Sequence, residues 1–123
     1  MALLDIKNIE TWYGPIPALR GVSLSVEKGR MLGANGAGKT TLLRTIAGIV
    51  DPRVGGVAFG GQAIHGLDPD KVVRRGISLV PEGRQVFPLL SVAENLAVGA
   101  FARRDAAEIA KDLAQVYALF PRL

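Results

Sequence analysis

Gly33-Ala34-Asn35-Gly36-Ala37-Gly38-Lys39-Thr40 is the stretch on which the fold turns. It fits the pattern G-x-x-x-x-G-K-[ST] at every fixed position. Small residues let successive backbone N–H groups converge on phosphate oxygens without Cβ clashes. A helix beginning near Gly38 aims its positive end at the same anion. Lys39 adds a compact charge for the β- and γ-phosphates, and Thr40 offers a hydroxyl to Mg2+. The competing interpretation is a plain glycine-rich turn before a helix. The surroundings favour phosphate binding, because apolar Met31 and Leu32 precede the loop and a helix with an apolar face follows it.

Outward from this loop the pattern is that of an α/β chain. Leu42, Leu43, Ile46 and Ala47 share one face of a helix expected over 39–47 and ended by Gly48. Upstream, Leu3–Ile9 reads as a strand, Trp12–Pro15 as a turn, and Gly21–Val26 as a half-buried strand with Val22, Leu24 and Val26 on one face. Downstream, Val57–Phe59 is a short strand. Asp68 and Pro69 open a helix as cap and first helical residue, and it stops before Gly76. Ile77–Val80 reads as an apolar strand. Ser91 and Glu94 form a capping box opening a helix to about Ala102. Asp105 and Glu108 form a second, opening a last helix with Ile109, Leu113, Val116 and Phe120 on its buried stripe.

Composition narrows the chemistry. The 123 residues carry a net charge of +4, one histidine (His65) and no cysteine, which excludes disulfides, thiol catalysis and Cys-based zinc sites. Lys71, Arg74 and Arg75, with Arg84, Arg103 and Arg104, have no interleaved aromatics. They read as solvated helix faces, with docking to a partner protein as the second reading and no nucleic-acid surface. Met1-Ala-Leu-Leu-Asp5 places an acid too early for a signal peptide. No apolar run approaches the ~18 residues of a membrane span. The expectation is a cytoplasmic chain that meets the membrane only through a partner.

The chain resembles the ATP-binding subunits of ABC transporters, most of all those that power branched-chain amino-acid import. The residues that carry this are Tyr13-Gly14, Ala18–Leu24, Gly33–Thr41, Val80-Pro-Glu-Gly-Arg84 with Phe87-Pro88, Ser91–Leu96 running into Gly99-Ala100, and Val116–Leu123. The resemblance implies an α/β P-loop NTPase core of ABC ATPase type with N-terminal antiparallel strands, in which residues 1–90 are the N-terminal part of the nucleotide-binding core with its phosphate loop and residues 91–123 the start of a helical subdomain. It implies ATP and Mg2+ as ligands, held by Gly33, Ala34, Asn35, Gly36, Ala37, Gly38, Lys39, Thr40 and Thr41. Tyr13 would stack on adenine, with Trp12 a weaker candidate. Glu82 stands where most relatives carry the Gln that senses Mg2+ and the attacking water. Residues 84–96 match the surface that meets the membrane-spanning permease subunits, although Phe87, Leu89 and Leu90 taken alone read as core rather than interface. A second ATPase subunit, identical or not, is the other implied partner, on the inner face of the cell membrane.

Two departures accompany the match. No apolar strand ending in Asp-Glu and no Ser-Gly-Gly occurs, and His65 lies too early for the family's later His. In relatives these follow a point equivalent to Leu123, so the resemblance covers an N-terminal half without a complete catalytic set. Relatives also place about six residues between the turn glycine and the loop, where only Arg30, Met31 and Leu32 separate Gly29 from Gly33. At ~3.3 Å per residue the gap shrinks from roughly 23 Å to roughly 13 Å, so either the preceding turn is consumed or the loop is displaced. Three readings stay open: part of a branched-chain amino-acid importer ATPase (or one for urea or amides), a nucleotide-binding module without hydrolysis, and a non-functional fragment; a P-loop kinase is a fourth and weaker one, since nothing in the sequence looks like an acceptor site or lid.

Overall fold

The computed structural model describes residues 2–30, 38–81, 83 and 85–123. They fall into two compact units, Met1–Leu79 and Val80–Leu123. The first contains strands β1 (Leu4–Tyr13), β2 (Ile16–Val26), β3 (Val54–Phe59) and β4 (Gln62–Ala63), and helices α1 (Lys39–Ile46) and α2 (Pro69–Arg74). The strands form one antiparallel sheet in the order β2-β1-β3-β4.

The register of β1 is decided at Asn8. Ile6 pairs with Leu24 and Ile9 with Val22, so two residues of β1 face only Ser23 of β2. On the other side Lys7 pairs with Gly56 and Glu10 with Val54, leaving Gly55 alone opposite Asn8 and Ile9. Asn8 is the extra residue. Its φ is +51°, the left-handed region that Asn tolerates better than most residues, and its N–H donates to Ser23 Oγ at 2.8 Å. A bulge of one residue reverses the alternation of the strand. Leu4 and Ile6 before it therefore share a face with Ile9, Thr11 and Tyr13 after it. Gly55 makes the bulge possible. Its φ is +86°, and a Cβ there would overlap the carbonyl oxygens of Lys7 and Asn8.

The core lies on that face. Ile6, Ile9, Leu19, Val57 and Ile64 are buried, with Leu42 and Ile46 of α1 packed against them. Each such aliphatic side chain contributes about 1.5–3 kcal/mol on burial. Leu19 also fixes the start of α1. Gly38, its N-cap, has φ +104°, and a Cβ there would stand 2.8 Å from Leu19 Cδ2. The glycine demanded by the phosphate-loop pattern thus also suits the left-handed φ, and any side chain there would have to displace the end of Leu19.

The second unit contains α3 (Val92–Gly99) and α4 (Ala106–Leu119). The α3 capping box forms as expected: Glu94 N–H donates to Ser91 Oγ at 3.1 Å and Ser91 N–H to Glu94 Oε1 at 3.2 Å. Arg103 bridges the start of α4, donating to both carboxylate oxygens of Asp105 and to Asp112 at 2.6 Å.

Several expectations from the sequence are corrected. Trp12 and Tyr13 belong to β1, so the turn is reduced to Gly14 and Pro15, and β2 begins already at Ile16. Ile77–Val80 is irregular chain without a ladder partner, and Val80 is 91% exposed. Helix α3 ends at Gly99 rather than near Ala102. The second capping box does not form, because the Asp105 carboxylate is taken by Arg103. Asp68 holds its N-cap position without a side-chain bond. No residue of α4 is buried, and Leu113 and Phe120 of the expected stripe are exposed. The turn before the phosphate loop is not consumed: Arg30 N–H closes it on Glu27 O at 3.1 Å. Met31–Ala37, Glu82 and Arg84 lie outside the described residues.

Two predictions follow from this packing. Gly55→Ala must either strain φ or open the bulge, and it lowers the stability of the first unit by at least about 2 kcal/mol, read as a lower urea midpoint. The Asp105 carboxyl is held below the usual carboxylate range, first by hydrogen bonds from Arg103, then by its own backbone N–H. Its contribution is therefore complete above the unfolded value near ~3.9 and is lost as pH falls through the lower folded value. Circular dichroism should show helix loss on acidification through that window, and less of it in Arg103→Gln.

Candidate functional site

The site of the first unit is assembled where the β1–β2 hairpin meets the N-terminal end of α1. The first hydrogen bond of α1 runs from Leu42 N–H to Gly38 O at 2.8 Å. The N–H groups of Lys39, Thr40 and Thr41 have no acceptor within the helix. Gly38 supplies no side-chain cap, and no acidic residue stands in the first turn. Lys39 and Thr40 are exposed. This end of the helix offers an anion three N–H donors, the helix dipole and an ammonium group.

A ladder of hydroxyls fixes α1 on the sheet. Thr45 Oγ1 donates to Thr41 O at 2.8 Å and lies 3.1 Å from Thr11 Oγ1. The Thr45 proton is committed to Thr41 O, so Thr11 is the donor of the pair. Both threonines are buried, Thr11 completely. One step along β1, Tyr13 donates to Thr41 Oγ1 at 3.3 Å. The Thr41 hydroxyl, able to turn and donate to a phenolate, lowers the Tyr13 pKa from its ordinary value, with a smaller effect from Arg44. The Tyr13 ring stays 40% exposed at the rim of the α1 end. Trp12 points to the other face of the sheet. Arg53 covers its ring at 4.7 Å and donates to Gly14 O at 2.9 Å.

The structure thus brings together Tyr13, Gly38, Lys39, Thr40 and Thr41 of the sequence-derived candidates. Gly33, Ala34, Asn35, Gly36, Ala37 and Glu82 lie outside the described residues. Thr11 and Thr45 were missed. Their signal was faint: a threonine in an apolar strand and another four residues past Thr41, both at positions where the pattern calls for aliphatics. Among the described residues no group of three or more His, Cys, Asp or Glu stands ready to hold a metal. Thr40 fits Mg2+ as one neutral oxygen ligand, the rest coming from phosphate and water as this ion prefers.

The second unit presents a different feature. Val86, Phe87 and Leu89 are 66%, 53% and 96% exposed, and Leu90 is 37% exposed. Phe87, Leu89 and Leu90 are therefore surface and not core, which overturns the assignment made from their hydropathy. They form an apolar ridge on the loop that leads into α3.

This antiparallel sheet, with a helix whose glycine-capped start faces outward, is the architecture of an ATP-binding cassette. The ABC transporter family model matches residues 19–121. The chain belongs to the ABC transporter family. It is 42% identical over 125 aligned residues to the high-affinity branched-chain amino acid transport ATP-binding protein BraG of Pseudomonas aeruginosa, covering 98% of this chain and 53% of that one. The alignment is longer than the chain, so BraG carries residues that this chain lacks. The spermidine/putrescine import ATP-binding protein PotA of Legionella pneumophila is 42% identical over 77% of this chain and 26% of its own length. Among solved structures, MJ1267, an ATP-binding cassette of an ABC transporter, superposes with a TM-score of 0.71 at 34% identity, over 84% of this chain and 42% of that one. The chain spans about half, or less, of the length of these relatives. No described helix is long and apolar enough to cross a membrane.

The hydroxyl ladder is open to direct test. Thr45→Val leaves the Thr11 hydroxyl buried without a partner and costs about 1–3 kcal/mol. The Thr11→Val, Thr45→Val double variant regains part of that, measured as a double-mutant cycle in urea.

Proposed function

We propose that this chain carries the nucleotide-binding portion of the ATP-binding subunit of an ABC importer, and that the importer takes up branched-chain amino acids. The observation that carries the first part is the convergence of Tyr13 and Thr41 on the open N-terminal end of α1, directly after the Gly33–Lys39 motif. The amino-acid assignment rests on the near-complete coverage of this chain by its match to BraG. The match to PotA supports the importer reading without specifying the solute.

In this reading Lys39 and the first-turn N–H groups of α1 hold the β- and γ-phosphates, Thr40 ligates Mg2+, and Thr41 stays within reach of both phosphate and Tyr13. The exposed Tyr13 ring stacks on adenine. Bound nucleotide supplies the phosphoanhydride whose cleavage drives transport. The described residues position it and hold its charge, and Glu82 takes the part of the Gln that senses Mg2+ and the attacking water in most relatives. The Val86–Leu90 ridge meets the membrane-spanning permease subunits, which places the chain at the cytoplasmic face of the membrane beside a second ATPase subunit.

Titration of the chain with Mg-ATP, followed with a fluorescent ATP analogue, tests this. Saturable binding is expected. Lys39→Ala should weaken it at least ~10-fold, and Tyr13→Ala by about 5–150-fold, the range expected from loss of one base–aromatic stack. Tyr13→Phe should bind nearly as well as the unaltered chain. No binding at millimolar Mg-ATP would remove the nucleotide site from this chain.

A further inference from the structure

Asn95 occupies the first full turn of α3, yet its carboxamide is committed to the loop before the helix. Its Oδ1 accepts from Phe87 N–H at 2.9 Å. Its Nδ2 approaches three carbonyl oxygens: Phe87 at 3.1 Å, Leu90 at 3.3 Å and Ser91 at 2.9 Å. Leu90 N–H closes a turn on the same Phe87 oxygen at 3.1 Å. Phe87 is thus held by both its backbone donor and its acceptor, as a residue is held by a neighbouring strand. The orientation of the amide follows from the partners, since the flipped form would set Oδ1 against three carbonyls. Few side chains can replace it. An ionised Asp would keep the bond from Phe87 N–H but bring no donor for the carbonyls, and Gln would carry the amide one methylene too far.

The outer surface of this loop is the apolar ridge of Val86, Phe87 and Leu89. Side chains so exposed gain little from packing within the unit, so their arrangement must come from the backbone beneath them. We propose that Asn95 is a positioning residue for docking on the permease subunits, holding Phe87–Ser91 in its binding shape before encounter. This rests on the docking reading given above and adds to it the residue that sets the ridge. Ordering the loop in advance removes a cost that binding would otherwise bear.

The test measures binding of the full chain to the membrane subunits of the Pseudomonas aeruginosa branched-chain amino acid transporter in nanodiscs. Amide exchange at Phe87 is read alongside. The unaltered chain should bind and protect that amide, and Leu89→Asp should abolish binding. Asn95→Ala and Asn95→Asp should each lose about 10-fold in affinity, and Asn95→Ala should expose the Phe87 amide. Ser91→Ala removes the capping box but spares the Asn95 side chain. It should lower the melting point as much as the Asn95 variants while keeping full affinity, a split that a merely structural role would not produce. If Asn95→Ala unfolds α3, Asn95→Asp compared with Ser91→Ala at matched melting point decides. Unchanged affinity in the Asn95 variants, or an equal loss in Ser91→Ala, would overturn the positioning role and leave the docking reading standing. Failure of the unaltered chain to bind would overturn both.

Discussion

One extra residue in β1 sets the geometry of the first unit. A strand of strict alternation would carry Tyr13 to the face opposite Ile6, since their separation is odd. Asn8, in its left-handed bulge opposite Gly55, reverses the alternation and returns Thr11 and Tyr13 to the core face. The buried Thr11–Thr45 pair and the Tyr13–Thr41 bond both depend on that return. Without it α1 would have no polar anchor on the sheet, and the exposed aromatic ring would stand on the wrong side. A conformation that costs a non-glycine residue of order 1 kcal/mol or more is maintained because several contacts, including Asn8 N–H to Ser23 Oγ, over-determine it.

Packing and chemistry then make the same demand at Gly38. The phosphate-loop pattern requires glycine there for close approach of an anion, and the left-handed φ of +104°, with the end of Leu19 close by, favours it as well. Leu19 is itself part of the buried cluster that receives Leu42 and Ile46. The start of α1 is therefore fixed in position by the core and in direction by the hydroxyl ladder. Leu19, Thr11 and Thr45, which supply much of both constraints, lie buried beneath the site rather than in it.

Much of this was legible in the sequence, for reasons that differ by residue. The helix after Lys39, the Ser91–Glu94 capping box and Pro69 at a helix start are local signals, and each appears in the structure. The strand alternation of Val22, Leu24 and Val26 is local as well. Asn8 was not legible, because a bulge depends on what the neighbouring strands do at Ser23 and Gly55. Asp105 was misread because the pattern for a capping box is silent about a nearby guanidinium, and Arg103 competes successfully for the carboxylate. Ile77–Val80 has the composition of a buried strand, but composition cannot supply a ladder partner. In the candidate site, Tyr13, Lys39, Thr40 and Thr41 were found from the motif and the family resemblance, whereas their support by Thr11 and Thr45 is a tertiary fact.

The errors at Phe87, Leu89 and Leu90 have a common physical origin with the devices just described. Hydropathy assigns apolar residues to the core because burial is what usually holds them. A residue that must present an apolar or aromatic surface to a partner cannot be held that way, since the surface it would bury is the surface it must offer. Its position has to be imposed through the backbone, by groups whose hydrogen bonds are directional. Tyr13 is placed by a bulge and a hydroxyl ladder, and Phe87 by the carboxamide of Asn95 and a turn closed at Leu90. An exposed large side chain above a fully engaged polar one is therefore more informative about binding than either residue alone. The polar partner explains how the exposed surface keeps its shape without burying it.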